Sequence, residues 1–310
     1  MEKKRKSRNF VWIFDLLMLL FVGVIVCFMW PSRDRIPTVS HGTLEMFPEF
    51  KSQFIQKRDV AVWLPEGYHM GDSCDVLYMH DGQMLFDATV TWNHQEWRVD
   101  EVMDSLIKAG SIRPCIVVAI WNTRDRLNEY SPDKSWEYIA QIEPMRADVS
   151  KLRGDAYLQF IIHELKPFID DRYKPLTSRE HTFIMGSSMG GLISLYALCE
   201  YPQVFGGAAC LSTHLSMAHL GVDGEALPSA FLYYVDQHLP VANSSLIYMD
   251  RGTKDFDAEY GPYQVRLDDA IRTKGWDEQH YVSLIFEGDG HNETCWSKRL
   301  NQPLQFLLRK

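Results

Sequence analysis

Residues 181–191 read His-Thr-Phe-Ile-Met-Gly-Ser-Ser-Met-Gly-Gly, an apolar run that ends in Gly186-x-Ser188-x-Gly190. A helix-like stretch, Leu192 to Glu200, follows directly. Strand, tight turn and helix in this order read as a nucleophile elbow, the bend that holds a serine hydroxyl above the end of a sheet. The serine of such a bend has a strained backbone, and side chains at Gly186 or Gly190 would collide with neighbouring elements. The pattern alone arises often by chance; the strand before it and the helix behind it make it informative.

Partners for Ser188 follow in the chain order of an α/β-hydrolase, nucleophile then acid then histidine. Ser245-Leu-Ile-Tyr-Met-Asp250 has a buried-strand pattern and opens into Arg251-Gly-Thr-Lys-Asp255-Phe-Asp257. The next strand-like run, Tyr281-Val-Ser-Leu-Ile-Phe286, opens into Glu287-Gly-Asp-Gly-His291-Asn-Glu293. Serine is a poor nucleophile until a base such as His291 takes its proton, and an acid must fix that imidazole and stabilise its charged form. Asp255, three residues beyond Gly252, is the favoured acid. Asp257 stands as the alternative, with a helix N-cap as its structural role, and Asp250 at the strand end is the weakest candidate.

An oxyanion hole is the remaining part. Asp75-Val-Leu-Tyr-Met-His80 reads as a strand closing in Asp81-Gly82-Gln83. The backbone N–H groups of Gln83 and of Met189, the residue after the nucleophile, are the expected donors.

With these residues in hand, the chain resembles the α/β-hydrolase family that contains esterase D, feruloyl and acetylxylan esterases, siderophore esterases, S-formylglutathione hydrolase and the mycolyltransferases. The resemblance runs from about Val60 to Leu308. It rests on Leu77-Tyr-Met-His-Asp-Gly-Gln-Met-Leu-Phe86, Trp97-Arg-Val-Asp100, Asn122, Arg126, Glu129-Tyr-Ser-Pro132 and Gly186-Ser-Ser-Met-Gly-Gly191. Gly252-Thr253, Asp257-Ala258-x-Tyr260 and Gly290-His-Asn-Glu293 complete it. The resemblance implies Ser188 as nucleophile, His291 as base and Gln83 with Met189 as oxyanion donors, with neither metal nor organic cofactor. It leaves the acid open, because relatives place it at either the Asp255 or the Asp257 position, and some siderophore hydrolases are thought to use a Ser–His pair.

The ends of the chain bear on location. Basic residues Lys3-Lys-Arg-Lys6 and Arg8 precede a run of 21 residues, Phe10 to Trp30, that is apolar except for Asp15. At ~1.5 Å per residue such a run spans roughly 31 Å as a helix, enough to cross a bilayer. A cleaved signal peptide is the alternative, but its apolar core is usually ~7–15 residues long, and Val26-Cys-Phe-Met-Trp30-Pro offers no small-residue cleavage site. The expectation is a cytoplasmic tail (1–9), a signal anchor (10–30), a linker (31–40) and one catalytic domain (41–310) in the periplasm or outside the cell. The chain carries a net charge of −9, an acidic balance that argues against nucleic acid as a partner. Cys74, Cys115, Cys199, Cys210 and Cys295 show no metal-ligand spacing; Cys74 and Cys115 open strands expected side by side, so a disulfide between them is possible.

Short apolar runs alternating with amphipathic stretches predict a mainly parallel sheet with helices on both faces. Strands are expected near Val60–Leu64, Asp75–His80, Cys115–Trp121, from His181, and over Ala208–Leu211, with helices over Asp100–Lys108 and Asp155–Asp170. Residues Ser212 to Asn243 read as a long insertion. Trp121 and Arg126 are the candidate substrate contacts, with Trp92, Trp97, Trp296, Arg124 and the insertion as further cleft wall; packing is the alternative for the tryptophans, and pairing with Glu129 for Arg126. The functional expectation is a membrane-tethered serine esterase acting on a small or glycan-linked ester. A siderophore lactone hydrolase, an acyltransferase, a peptidase and a catalytically silent binding domain are the alternatives.

Overall fold

The computed structural model describes residues 36–139, 149–217 and 226–310. One eight-stranded sheet organises them: β1 (Thr43–Phe50), β2 (Arg58–Leu64), β3 (Asp75–His80), β4 (Cys115–Ile120), β5 (Thr182–Ser187), β6 (Gly207–Leu211), β7 (Leu246–Arg251) and β8 (Tyr281–Ile285). Their order across the sheet is β1-β2-β4-β3-β5-β6-β7-β8. β1 pairs antiparallel with β2, and β2 antiparallel with β4; every other pairing is parallel. β1 gives no clear sequence signal, because it is an edge strand with no fully buried position.

β3, β4 and β5 are buried at every position, which is why they read as continuous apolar runs rather than alternating ones. Alternate residues still divide between two cores, Val76 and Tyr78 facing one and Leu77 and Met79 the other. The first core is covered by α2 (Gly154–Phe160), α3 (Lys166–Tyr173), α4 (Met189–Glu200), α5 (Ala226–His238) and α6 (Asp257–Thr273); α1 (Val99–Lys108), α7 (Glu293–Arg299) and α8 (Asn301–Leu307) cover the second. Helix α4 is buried on all sides. Each leucine or isoleucine it buries contributes about 1.5–3 kcal/mol of transfer free energy.

The single helix expected over Asp155–Asp170 is instead broken by a π-helical turn, Ile161–Leu165. Pro167 lies in the first turn of α3. It has no N–H to donate backwards, so regular α hydrogen bonding cannot run through it and a wider turn takes the strain. The predicted insertion contains α5, and its residues 218–225 lie outside the described residues. So do the predicted tail, the anchor run Phe10–Trp30 and residues 31–35 of the linker. Among the described residues no helix is long and apolar enough to cross a membrane. The disulfide does not form: Cys74 and Cys115 are buried free thiols. The register sets Cys115 opposite Asp75, one residue past Cys74.

The topology places the site. β3 lies between β4 and β5, so chain segments leaving its carboxyl end diverge to either side and open a crevice there. The turn after β3 and the elbow after β5 are therefore neighbours. The segments after β6, β7 and β8 continue the row along the same edge.

Candidate active site

Ser188 follows β5 with φ 56° and ψ −120°, a region that L-residues rarely occupy. Two bonds hold it there: its N–H donates to Leu211 O at 2.9 Å, and its carbonyl accepts from His214 N–H at 3.1 Å. The elbow glycines are steric. A β-carbon on Gly186 would lie 2.9 Å from both Gly190 Cα and His80 Cδ2. His80 is itself locked, with Nδ1 2.8 Å from the Tyr157 hydroxyl, and burial depresses its pKa to about 3, so the ring is neutral.

His291 is held on α7's approach, with Nδ1 2.6 Å from Asp257 Oδ1. The acid that meets the histidine is therefore Asp257, not the favoured Asp255. Asp255 sits in a left-handed turn (φ 54°). Its side chain is exposed and packs over Gly290. Nor is Asp257 an N-cap: it is the first residue of α6 and makes no cap bond. It is fully buried, and its second oxygen accepts from Gly252 N–H and Ser212 Oγ, each at 2.6 Å. Burial alone would raise its pKa, but the hydrogen bonds from His291, Ser212 and Gly252 outweigh that and hold it below the usual carboxylate range. An ionised Asp257 fixes the proton of His291 on Nδ1 and leaves Nε2 as the basic nitrogen.

The sequence reading missed Ser212. It is fully buried with φ 43°. Its Oγ accepts from Trp296 Nε1 at 2.9 Å and Arg299 Nη2 at 3.0 Å. Those groups can only donate, so the serine proton must point at Asp257. Arg299 also binds Asp250 Oδ1 and Asp289 Oδ2, at 3.0 and 2.9 Å, which makes Asp250 part of this buried frame. The signal was present in the sequence: Ser212 ends the apolar run Ala208–Leu211 just as the other site residues end theirs. Trp296, expected at the cleft wall, is buried instead, its ring tilted 37° against Trp97 at 5.4 Å and edge-on to His291 at 5.1 Å.

The turn after β3 is built as strictly. Asp81 adopts φ 56°, ψ 45° and leads into the 3₁₀ turn Gly82–Met84. A β-carbon at Gly82 would strike Trp121 and the β4 backbone, so Trp121 forms the floor under this turn. Gln83 N–H and Met189 N–H both fall in first helical turns, where backbone donors have no intrahelical acceptor. Arg126 does not pair with Glu129. It grips Asp81 through Nε (2.7 Å) and Nη2 (2.8 Å), while Asn122 Nδ2 adds a third bond at 2.6 Å. Glu129 instead forms a fully buried bidentate pair with Arg58, at 2.6 and 3.0 Å. Exposed Trp92, Leu127 and Phe256 are the remaining large apolar groups near these loops. The Phe256 ring stands edge-on to His291 at 5.6 Å. No group of three or more His, Cys, Asp or Glu side chains among the described residues could hold a metal ion.

An elbow, a buried acid–histidine pair and a donor-bearing turn therefore share one edge of the sheet. Residues 52–307 match the family described as Putative esterase. The chain belongs to that family. It is an esterase-family hydrolase with an α/β fold. Among curated proteins, the uncharacterised Bacillus subtilis protein YjcH is 24% identical over 278 residues, covering 86% of this chain and 98% of its own. The endo-1,4-beta-xylanase/feruloyl esterase of Xylanibacter ruminicola is 21% identical over 302 residues, 90% of this chain but 35% of that protein. Among solved structures, a ferulic acid esterase superposes with TM-score 0.63 at 20% identity, over 86% of this chain and 98% of its own. The enterobactin esterase of Shigella flexneri gives TM-score 0.62 at 19% identity, over 87% of this chain and 60% of that one.

Proposed function

We propose that the protein is a serine carboxylic-ester hydrolase working through an acyl-enzyme, with Ser188 as nucleophile, His291 as general base and Asp257 as the triad acid. The 2.6 Å contact of His291 with a buried, ionised Asp257 beside the strained Ser188 elbow carries this reading. His291 Nε2 takes the Ser188 proton as Oγ attacks the ester carbonyl. The oxyanion is received by the N–H groups of Gln83 and Met189, and the protonated histidine then delivers the proton to the departing alcohol. Water repeats the sequence on the acyl-enzyme and frees the acid.

The substrate is a small or glycan-linked ester, with a feruloyl or acetylated sugar as first choice. The apolar groups Trp92, Leu127 and Phe256 suit an aromatic or short aliphatic acyl group, and one relative is named a feruloyl esterase. A siderophore lactone is the second reading, favoured by the likeness to an enterobactin esterase. The apolar run Phe10–Trp30 behind a basic tail supports a single-pass anchor, with the catalytic domain periplasmic or extracellular.

Hydrolysis of p-nitrophenyl acetate by the full-length chain in detergent, wild type beside Ser188→Ala, tests the chemistry. Turnover is expected to fall to background in the variant while the fold is kept. A well-folded wild type with no turnover, and no labelling of Ser188 by a fluorophosphonate, would overturn it. Parallel assays on feruloyl, acetyl-sugar and catecholate trilactone esters decide the substrate class. Protease protection in inside-out against right-side-out vesicles decides the orientation of the domain.

A further inference from the structure

Ser188 has a third neighbour that the triad does not use. Tyr260 stands three residues beyond Asp257 on α6, on the same face of the helix. Its ring is buried and lies edge-on to His291 at 5.7 Å. Burial raises the pKa of its hydroxyl, while the neighbouring Ser188 side chain pulls it the other way. The same hydroxyl is 2.6 Å from Nδ1 of His214, a second histidine whose ring meets the tyrosine edge-on at 5.6 Å. His214 in turn is fixed to the elbow, since its own N–H donates to Ser188 O at 3.1 Å. Phenol, second imidazole and nucleophile thus close a small ring of contacts on the side of Ser188 where His291 lies.

We propose that Tyr260 is a further catalytic residue, held by His214, whose hydroxyl donates a hydrogen bond to Ser188 Oγ whenever that oxygen is stripped of its proton. The argument rests on proton inventory. In the free enzyme Oγ–H can donate to either His291 or Tyr260. In the tetrahedral intermediates and the acyl-enzyme Oγ carries no proton and can only accept, so the phenol within reach becomes its donor. His214 Nδ1, a neutral acceptor, takes the phenol proton's hydrogen bond at rest and gives it up when the phenol turns to Ser188 Oγ, with no proton leaving either group. Burial, with the nearby His291 and Arg126, depresses the His214 pKa to about 4, so it stays neutral at working pH and adds no competing cation. The benefit is largest where Oγ gains charge: on attack, and again in deacylation when it is the leaving oxygen. No bond beyond those of the ester reaction is made or broken.

This inference rests on the serine-esterase reading, so its test separates the two. Tyr260→Phe removes one hydroxyl and keeps the buried ring. The expected result is a loss of kcat on p-nitrophenyl acetate of about 10- to 100-fold, the range for a hydrogen bond to a charged group. Fluorophosphonate labelling of Ser188 should slow in parallel, with KM and thermal midpoint unchanged. His214→Leu should reproduce the loss, and His214→Asn, whose amide takes the place of Nδ1, should restore most of it. The His214 pair carries the test if Tyr260→Phe does not fold. Wild-type rates in Tyr260→Phe, or a raised KM and lowered midpoint at unchanged kcat, would overturn the inference alone. A wild type neither active nor labelled would overturn both.

Discussion

Asp81 and Asp257 are two carboxylates in the loops that follow strands, each well shielded and each near an arginine, and they are held in opposite ways. Arg126 closes on both oxygens of Asp81 while Asn122 takes a further lone pair. Both oxygens are engaged, and the group is a strut that fixes a left-handed turn. Asp257 has one oxygen saturated by Gly252 N–H and Ser212, while the other is kept for His291. Its arginine, Arg299, stands back at 3.9 Å and acts through Ser212. In the proposed triad, the acid's frame supplies two bonds, one fewer than Asp81 receives, and leaves an oxygen for the histidine. The same acid type, with all three bonds taken by an arginine and an asparagine, is a structural tie.

The largest effect should come from the acid itself. Asp257→Asn inverts the hydrogen bond to His291 and should drop kcat by about 10³- to 10⁴-fold, in line with the loss when a triad aspartate becomes an amide. Asp255→Asn should stay within about 3-fold, as expected for an exposed group away from the base. Steady-state kinetics on the two variants side by side checks this. Two small losses would mean that a Ser–His pair suffices and that the frame around Asp257 is only structural.

The strut is expected to matter less. Arg126→Met strips two charged hydrogen bonds from Asp81 and should cost about 1–3 kcal/mol of stability, with kcat lower by about 10-fold as Gln83 loses its aim, a fraction of what full removal of an oxyanion donor costs. Arg126→Lys restores the charge without the fork and should fall between. Urea midpoints and kcat measured together decide it. Lost stability at unchanged kcat would break the link between this turn and the oxyanion.

The contrast also explains what the sequence made legible. The proposed catalytic parts are announced by local grammar. Ser188 sits between obligate glycines at a strand-to-helix turn, His291 follows a strand in a Gly-rich turn, and Asp81-Gly82-Gln83 closes an apolar run. The parallel sheet was equally legible, since its central strands are buried on both faces and spell continuous apolar runs. The frames are not local. Ser212 meets Trp296 across 84 residues and Arg299 across 87, and Arg126 reaches back 45 to Asp81. Nothing in the sequence spacing distinguishes an Arg126–Glu129 pair, which helical proximity favours, from the pairs that form. The same blindness made Asp255 look better than Asp257. Distance along the loop was visible, and the direction set by a left-handed residue at 255 was not.

The smallest expected effect concerns the strap that joins the two halves. Residues 81–98 leave the Asp81 turn and cross to α7, where Asn93 donates to Glu293 at 2.8 Å and Gln95 Oε1 accepts from the Thr294 hydroxyl at 2.9 Å. Within it Glu96 accepts from Ala88 N–H at 3.0 Å. Burial, reinforced by the charges of Glu101, Asp100 and Asp87, pushes its pKa up to about 7. A carboxyl raised in the folded state binds its proton more tightly there than in the unfolded chain. Its contribution to stability is fully present below the unfolded value near 4.5 and is lost as pH rises through 7. The protein should therefore soften between pH 4.5 and 7 on this account, and Glu96→Gln, which cannot ionise, should flatten that slope. Thermal midpoints of wild type and variant should agree at pH 4.5, with the variant higher by a few degrees at most at pH 8, since the group is partly exposed to solvent. If kcat at pH 8 rises along with the midpoint, the strap transmits order between the strut and the acid. If the midpoint rises alone, the two halves of the site are built independently and only share an edge of the sheet.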